Sequence, residues 1–133
     1  MQIEITFAGN KKVNARIRNQ IIETDQPVEA GGDGSAPAPY DLFLISMGTC
    51  AGIFVREFCM QRNIESDNIK ILQDVTRGAE KGTLEEVRFS VHVGPDFPEQ
   101  YKKALVNVVN LCSVKKSILK PPRFDVIVVS GSE

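Results

Sequence analysis

Residues 42–55 read LFLISMGTCAGIFV, an uncharged run with Cys50 near its middle and Gly48 and Gly52 on either side. The run follows Pro39, which suits a first helical turn, and its apolar residues cover every side of a helix instead of one stripe. We therefore predict a long helix that is buried all round. The run meets charged residues before it reaches the roughly 20 apolar residues that cross a bilayer, so we interpret it as a core helix and expect no membrane partner.

The amino-acid composition limits the classes of protein to which this chain can belong. The chain has 133 residues, of which 42% are hydrophobic and 25% charged, and this is typical of one soluble domain, predicted over residues 1–133. Its net charge of −1 and scattered basic residues argue against a nucleic-acid partner. The N-terminus alternates polar and apolar residues without a basic segment and apolar block, so we predict no secretory signal and a cytoplasmic location. There, three cysteines are expected to be reduced thiols instead of a disulfide framework.

The first third of the chain has the two-residue period of half-buried strands. Residues 3–7 and 13–17 alternate in this way and are separated by a Gly-Asn turn, which predicts a hairpin, and a short strand follows at 20–24. Residues 25–39 then change to Pro, Gly, Ala, Asp and Ser, a loop too long for a tight connection. Its Gly-Gly-Asp-Gly run, residues 31–34, lacks the Lys-Ser/Thr ending of a phosphate loop, so we interpret the loop as a hinge or flap.

The second half of the chain predicts another hairpin and two helices. Pro98 is expected to open a helix with a stripe of core residues, and Ser113 is expected to cap a short one. The stripe consists of Tyr101, Leu105, Val108 and Cys112, and the other predicted elements are strands at 69–77 and 84–93, a helix at 114–119 and a last strand at 124–129.

Hairpins that alternate with helices indicate an α+β fold with mainly antiparallel strands. A helix that is apolar all round needs more cover than one small sheet offers, so we infer a homodimer in which two copies of this helix share a core. Gly48 and Gly52 lie on one face and would let backbones approach closely. The alternative is that each glycine makes room for a side chain of its own subunit.

Three cysteines are candidates for chemistry. Cys50 and Cys59 are nine residues apart, which places them on opposite faces of a helix, so they do not act together. Small residues around Cys50 leave room for a substrate, and we select it. Cys112 comes just before a short helix, where free N–H groups and the helix dipole favour a thiolate. The alternative is that these cysteines are small core residues without a reaction.

Other polar residues carry weaker signals. Asp41 lies just inside the start of the long helix, where a carboxylate complements the dipole, and its default role is structural. His92 is the sole histidine and alternates with apolar residues, so it is expected on the polar face, which disfavours a Cys-His hydrolase. The scattered thiols form no C-x-x-C pair, so we expect no metal, and we predict no cofactor.

Three motifs together resemble the OsmC/Ohr family of thiol peroxidases. They are Ala-Pro-Tyr-Asp-Leu at residues 38–42, Met-Gly-Thr-Cys at 47–50 and Leu-Cys-Ser-Val at 111–114. The resemblance implies an OsmC-like intertwined homodimer, in which antiparallel sheets from both subunits wrap two long central helices. It also implies reduction of organic hydroperoxides and hydrogen peroxide in oxidative-stress defence.

The same resemblance implies roles for single residues. Cys50 matches the peroxidatic cysteine, Cys112 matches the resolving cysteine, and an external dithiol would reduce the disulfide between them. Asp41 falls where the family carries a glutamate that holds a catalytic arginine in position.

This chain departs from the family at that arginine. The family residue lies on the strand before the loop, and here residues 21–26 contain no arginine. Arg16, Arg18 or Arg123 could supply the charge instead. Without a cation, burial would raise the pKa of Cys50 and slow it.

Three functions stay open. The first is a cysteine peroxidase acting on a small apolar hydroperoxide, which would enter an apolar pocket at the dimer interface. The second is a non-enzymatic OsmC-like protein that binds a small molecule or senses redox state. The third is a hydrolase or transferase with Cys50 as its nucleophile, for which the sequence offers no plausible base.

Overall fold

The structure, a computed structural model, describes residues 1–131. They divide into two compact units, Met1–Ser46 and a second that begins at Met47, with the division inside the long helix. Antiparallel strands and three α-helices confirm the predicted α+β class. The single-domain organisation stays a prediction.

The first unit contains a three-stranded antiparallel sheet. Its strands are β1 (Ile3–Phe7), β2 (Val13–Ile17) and β3 (Gln20–Thr24), in the order β1-β2-β3, which confirms the predicted hairpin and third strand. Gly9 and Asn10 turn the chain between β1 and β2 with φ values of 93° and 47°. Such positive φ angles favour glycine and asparagine, so the turn residues explain why the hairpin closes there.

A buried carboxylate organises the loop that follows β3. Asp25 is 0% exposed, and its carboxylate accepts hydrogen bonds from the amides of Gln26 (2.7 Å), Asp33 (3.3 Å) and Ser35 (3.0 Å) and from the Ser35 hydroxyl (2.7 Å). These bonds, with the Ser35 hydroxyl as the largest cause, lower the pKa of Asp25 to about 2. A Cβ on Gly32 would overlap the Gln26 carbonyl, so the turn requires glycine. The segment interpreted as a hinge or flap is thus closed by internal bonds.

The long helix, α1 (Pro39–Gln61), buries one stripe and not its whole circumference. The buried residues recur at helical spacing and are Met47, Ala51, Val55, Phe58 and Cys59. Ile53 is 52% exposed and Met60 63% exposed, so the prediction of all-round burial is wrong for the single chain. By length and composition alone α1 is able to span a membrane, a test that the core helix of a soluble protein also passes.

The second unit packs its hairpin and short helices against α1. Strands β4 (Lys70–Arg77) and β5 (Leu84–His92) form a two-stranded antiparallel sheet, as predicted. After a 3-10 turn, Glu99–Tyr101, α2 covers Lys102–Val109 and ends before Cys112, and α3 covers Ser113–Leu119. Residues from α1 and from α2 together form the core, namely Ala51, Val55, Phe58, Cys59, Leu105 and Val109.

The strand predicted at 124–129 is not formed within this chain. These residues follow α3 without pairing to either sheet. Their β-branched composition explains the prediction, but a strand needs a neighbouring edge for its hydrogen bonds, and the segment has none here.

Candidate functional site

Cys112 is the N-cap residue of α3. Its sulfur accepts a hydrogen bond from the Lys115 amide at 3.5 Å and lies 3.9 Å from the carbonyl oxygen of Met47 on α1. The side chain is 0% exposed. The cap therefore ties the start of α3 to the middle of α1, next to the turn that carries Cys50.

Cys50 is partly exposed on α1, and its sulfur meets the start of α3. Hydrogen bonds from the Val114 amide, the Cys112 thiol and the Ser113 amide lower the pKa of Cys50, with the Val114 amide as the largest cause, against the opposing effect of burial. Each bond stabilises the thiolate more than the thiol because the acceptor is then charged. Cys50 and Cys112, predicted as a pair, lie close enough for each thiol to shift the pKa of the other.

Cys112 lies at the start of α3, and yet burial decides its pKa. Burial raises the pKa of Cys112, and a thiolate at Cys50 raises it further. The amides of Lys115 and Val114 do lower the pKa of Cys112, as the helix start predicted, but burial outweighs them and the net pKa is raised. Cys50 ionises first, and Cys112 keeps the remaining proton. The Ser113 and Val114 amides are the functional groups that sequence reasoning missed, although their motif was recognised.

Both sulfurs of this pair are free thiols. A partly exposed nucleophile beside a buried thiol is suited to two-step sulfur chemistry: the first sulfur is oxidised by a reagent from solvent, and the second condenses with it.

The third cysteine and the histidine lie outside this pair. Cys59 is fully buried in the core, and burial is the largest cause of its raised pKa. Such a thiol is a poor nucleophile, in agreement with the choice of Cys50. His92 is exposed at the end of β5, as the strand period predicted.

Asp41 acts on the helix that contains it. Its carboxylate accepts a hydrogen bond from the Ala38 amide at 3.1 Å, the return half of a capping box. Asp41 precedes Cys50 by nine residues, or roughly 13 Å along a helix that rises about 1.5 Å per residue. The structure therefore gives Asp41 a helix-capping contact.

Arginine is not among the causes of the Cys50 pKa shift in the part of the chain that the structure describes. Within residues 1–131, the causes of its pKa shift are burial and hydrogen bonds from residues 112–114. Arg16 pairs with Glu4 at 3.6 Å on the surface of the first unit, Arg18 lies in the turn before β3 with φ 52°, and Arg123 is exposed after α3. In the single chain the Cys50 thiolate is stabilised by neutral donors.

This dithiol site in an α+β chain can be compared with known proteins. A sequence profile of OsmC-like proteins matches residues 32–127. The chain therefore belongs to the OsmC family. No curated protein matches it.

Solved structures share the fold. An osmotic stress induced and detoxification response protein from Psychrobacter arcticus 273-4 is 23% identical, with a TM-score of 0.75, over 88% of this chain and 87% of that one. An organic hydroperoxide resistance protein OsmC from Legionella pneumophila is 19% identical, with a TM-score of 0.57, over 88% and 87%. An organic hydroperoxide resistance protein from Vibrio cholerae, with captopril in one active site, is 18% identical, with a TM-score of 0.59, over 89% and 84%. At these identities the likeness shows the fold alone. Because OsmC proteins are generally soluble, family membership favours α1 as a core helix.

Proposed function

We propose that this protein is a cysteine-dependent peroxidase that reduces small apolar hydroperoxides or hydrogen peroxide in the cytoplasm, as part of oxidative-stress defence. The observation that carries the proposal is the proximity of two free thiols, in which Cys112 contributes to the lowered pKa of Cys50 while burial raises the pKa of Cys112. Names of structural neighbours that refer to organic hydroperoxide resistance support the substrate class.

The reaction follows from the order of ionisation. The Cys50 thiolate attacks the distal oxygen of the peroxide, the O–O bond breaks, and the leaving alkoxide takes a proton to become an alcohol. Cys50 is then a sulfenic acid, two electrons more oxidised. The Cys112 sulfur attacks the Cys50 sulfur, water leaves, and a disulfide forms. An external dithiol supplies two electrons and two protons to restore both thiols.

The proposed functional unit is a homodimer in which α1 of one chain packs against α1 of the other. Exposed Ile53 and Met60 on α1 support this, because an apolar helix face in water favours association. The two glycines of α1 differ in the space beside them. A Cβ on Gly48 would overlap the Gln73 side chain of the same chain, whereas one on Gly52 would meet nothing within 4 Å. Gly52 is thus the glycine whose open side is available to a partner helix.

A second function, non-enzymatic binding or redox sensing, is favoured by the lack of a charged group at the Cys50 sulfur within residues 1–131. Neutral donors activate a thiol less than a guanidinium does, so oxidation could be slow enough to serve as a signal instead of turnover. In this case the protein would form the disulfide but would not cycle with a dithiol.

Turnover of cumene hydroperoxide with dithiothreitol as reductant tests the peroxidase. We expect Cys50→Ser to abolish turnover and Cys112→Ser to slow it, because the Cys50 sulfenic acid must then react with dithiothreitol itself. Cys59→Ser is the matched control and should retain turnover. Wild-type protein that forms the disulfide without multiple turnover would favour redox sensing, and wild-type protein that resists oxidation would exclude both reactions.

A further inference from the structure

Helix α3 depends on its first turn for stability. Its seven residues, Ser113–Leu119, are all partly or fully exposed, so no side chain of the helix is anchored in the core. A helix of two turns is not stable alone in water, and packing or capping must stabilise it. The Lys116 amide donates to the Cys112 carbonyl at 3.2 Å, and the Lys120 amide donates to the Lys116 carbonyl at 2.9 Å. These backbone bonds therefore depend on how the helix begins.

The start of α3 is capped by the sulfur of Cys112. This sulfur accepts a hydrogen bond from the Lys115 amide at 3.5 Å and lies 3.9 Å from the Met47 carbonyl oxygen, so one atom both caps α3 and ties it to α1. A side chain that accepts a first-turn amide stabilises the helix that follows. The reduced thiol of Cys112 is therefore part of what keeps α3 folded.

A covalent bond between Cys50 and Cys112 would change this cap. Such a bond brings two sulfurs closer together than any contact between free thiols does. The helix α1 is anchored by five buried residues, whereas every residue of α3 is at least partly exposed, so α3 is the element that moves. The Cys112 sulfur then turns towards Cys50, and the Lys115 amide loses its acceptor.

The loss of charge on Cys50 acts in the same direction. The Ser113 and Val114 amides lower the pKa of Cys50, which means that they favour its thiolate. A hydrogen bond to a charged acceptor is stronger than one to a neutral acceptor, and Cys50 carries no charge in a disulfide. Oxidation therefore weakens the contacts of the first three amides of α3, the Lys115 amide included.

We propose that oxidation of the Cys50–Cys112 pair to a disulfide uncaps α3 and loosens its turns, so that α3 is a redox-sensitive switch. The two thiols give up two protons and two electrons as the S–S bond forms. A hydroperoxide takes up both protons and both electrons, its O–O bond breaks, and it leaves as an alcohol and water. The switch rests on the disulfide of the proposed function but not on repeated turnover.

Lys115 connects the switch to a second place in the fold. Its Nζ donates to the side-chain oxygen of Asn110, at the end of α2, at 2.7 Å. Both residues line a groove of about 510 Å³ between β5 and α2. Loosening of α3 therefore alters the wall of this groove, and the redox state of the buried pair becomes visible at the protein surface.

Hydrogen–deuterium exchange measured by mass spectrometry tests the switch. Diamide, a thiol oxidant that is not a peroxide, forms the disulfide by taking up two hydrogens, and a peptide map establishes whether the bond joins Cys50 to Cys112. We expect the amides of residues 116–120 to exchange about two- to fivefold faster in the oxidised protein than in the reduced one, the factor that follows from loss of a weak N-cap. Peptides from β4 should exchange at the same rate in both forms.

Three variants separate loss of the cap from other effects of oxidation. Cys112→Ala lacks the cap and should show the faster exchange of residues 116–120 without any oxidant. Cys112→Ser is the matched control: its hydroxyl caps the helix but cannot form the disulfide, so diamide should leave its exchange unaltered. Cys59→Ser keeps the pair and should respond to diamide as the wild type does.

Three results would overturn the switch. They are exchange of residues 116–120 that is equal or slower in the disulfide form, exchange in reduced Cys112→Ala equal to that of the wild type, and diamide-treated protein without a bond between Cys50 and Cys112. The proposed peroxidase is contradicted by a different result, because loss of hydroperoxide turnover leaves the comparison of diamide-treated and reduced protein intact.

Discussion

Replacing Cys112 by alanine removes the side-chain donor that contacts the Cys50 sulfur, and the effect on Cys50 reactivity can be estimated. A hydrogen bond to a charged group contributes about 1.5–3 kcal/mol, and a thiol is a weak donor, so the lower end applies. Since about 1.4 kcal/mol is a factor of ten, the thiolate fraction of Cys50 at a fixed pH below its pKa should fall roughly tenfold. The Val114 and Ser113 amides remain, so reactivity is reduced and not abolished.

The assay is alkylation of Cys50 by iodoacetamide across pH, with the modified peptide identified by mass spectrometry. In Cys112→Ala the rise of the rate with pH should move to higher pH, because the folded-state pKa of Cys50 is no longer lowered by the thiol. Cys112→Ser is the matched control: its hydroxyl retains a donor and should preserve most of the wild-type rate.

The dependence of the alkylation rate on salt concentration distinguishes stabilisation of the thiolate by neutral donors from stabilisation by an unidentified cation. Hydrogen bonds from amides and a thiol are short-range, so the wild-type rate at fixed pH should change little between about 0.05 and 1 M salt, whereas a nearby guanidinium would be screened. A Cys112→Ala rate equal to wild type would refute the thiol hydrogen bond as a cause of the lowered pKa. A strong salt dependence would refute the assignment of that pKa to neutral donors and would point to an arginine of a partner chain.

Three further results are expected. Asp25→Asn should remove an acid-sensitive part of the free energy of unfolding. The pKa of Asp25 falls from 3.8 to about 2 on folding, so its contribution is complete above pH 3.8 and is lost as the pH falls through about 2. Urea unfolding at several pH values should show this loss in the wild type but not in the variant. Gly52→Ala should weaken the dimer about five- to 150-fold in sedimentation, because overpacking a helix contact costs about 1–3 kcal/mol. Gly48→Ala is the control, since its methyl group need only displace the flexible Gln73 side chain of the same chain. An unaltered dimer in Gly52→Ala would contradict a helix contact at this glycine. Cys59→Ala should lower the free energy of unfolding by about 1 kcal/mol in urea titrations, because the core loses the contacts of the sulfur. Peroxide turnover should be unaltered. A loss of turnover in the folded variant would show that this buried thiol takes part in the reaction.

Strand and helix positions followed from local pattern, because a period of two residues or a proline start is a property of a short segment. The extent of burial did not. The apolar residues of α1 predict that the helix needs cover, but not which chain provides it, and Ile53 is 52% exposed in the single chain. The strand predicted at 124–129 is unpaired for a similar reason, because an alternating sequence pattern does not specify the sheet edge to which the strand would bind.

The candidate site residues came from the sequence, whereas the hydrogen bonds that surround the two sulfurs come from the structure. The pairing of Cys50 with Cys112 came from the family resemblance, since periodicity does not relate residues so distant along the chain. Recognition of a helix start after Cys112 left open which sulfur its amides would meet, and that depends on how α3 packs against α1. Asp25 was missed because a carboxylate in a Gly-Pro-rich loop looks like a surface residue, whereas here it is fully buried and closes the loop.

The most direct test of the central claim is the mass of the protein after reaction with one equivalent of cumene hydroperoxide in the absence of reductant. We expect the loss of two hydrogens, and a peptide map that joins Cys50 to Cys112 while Cys59 stays alkylatable. Protein that keeps both thiols, or that accumulates a sulfinic acid at Cys50 beside a free Cys112, would contradict the account.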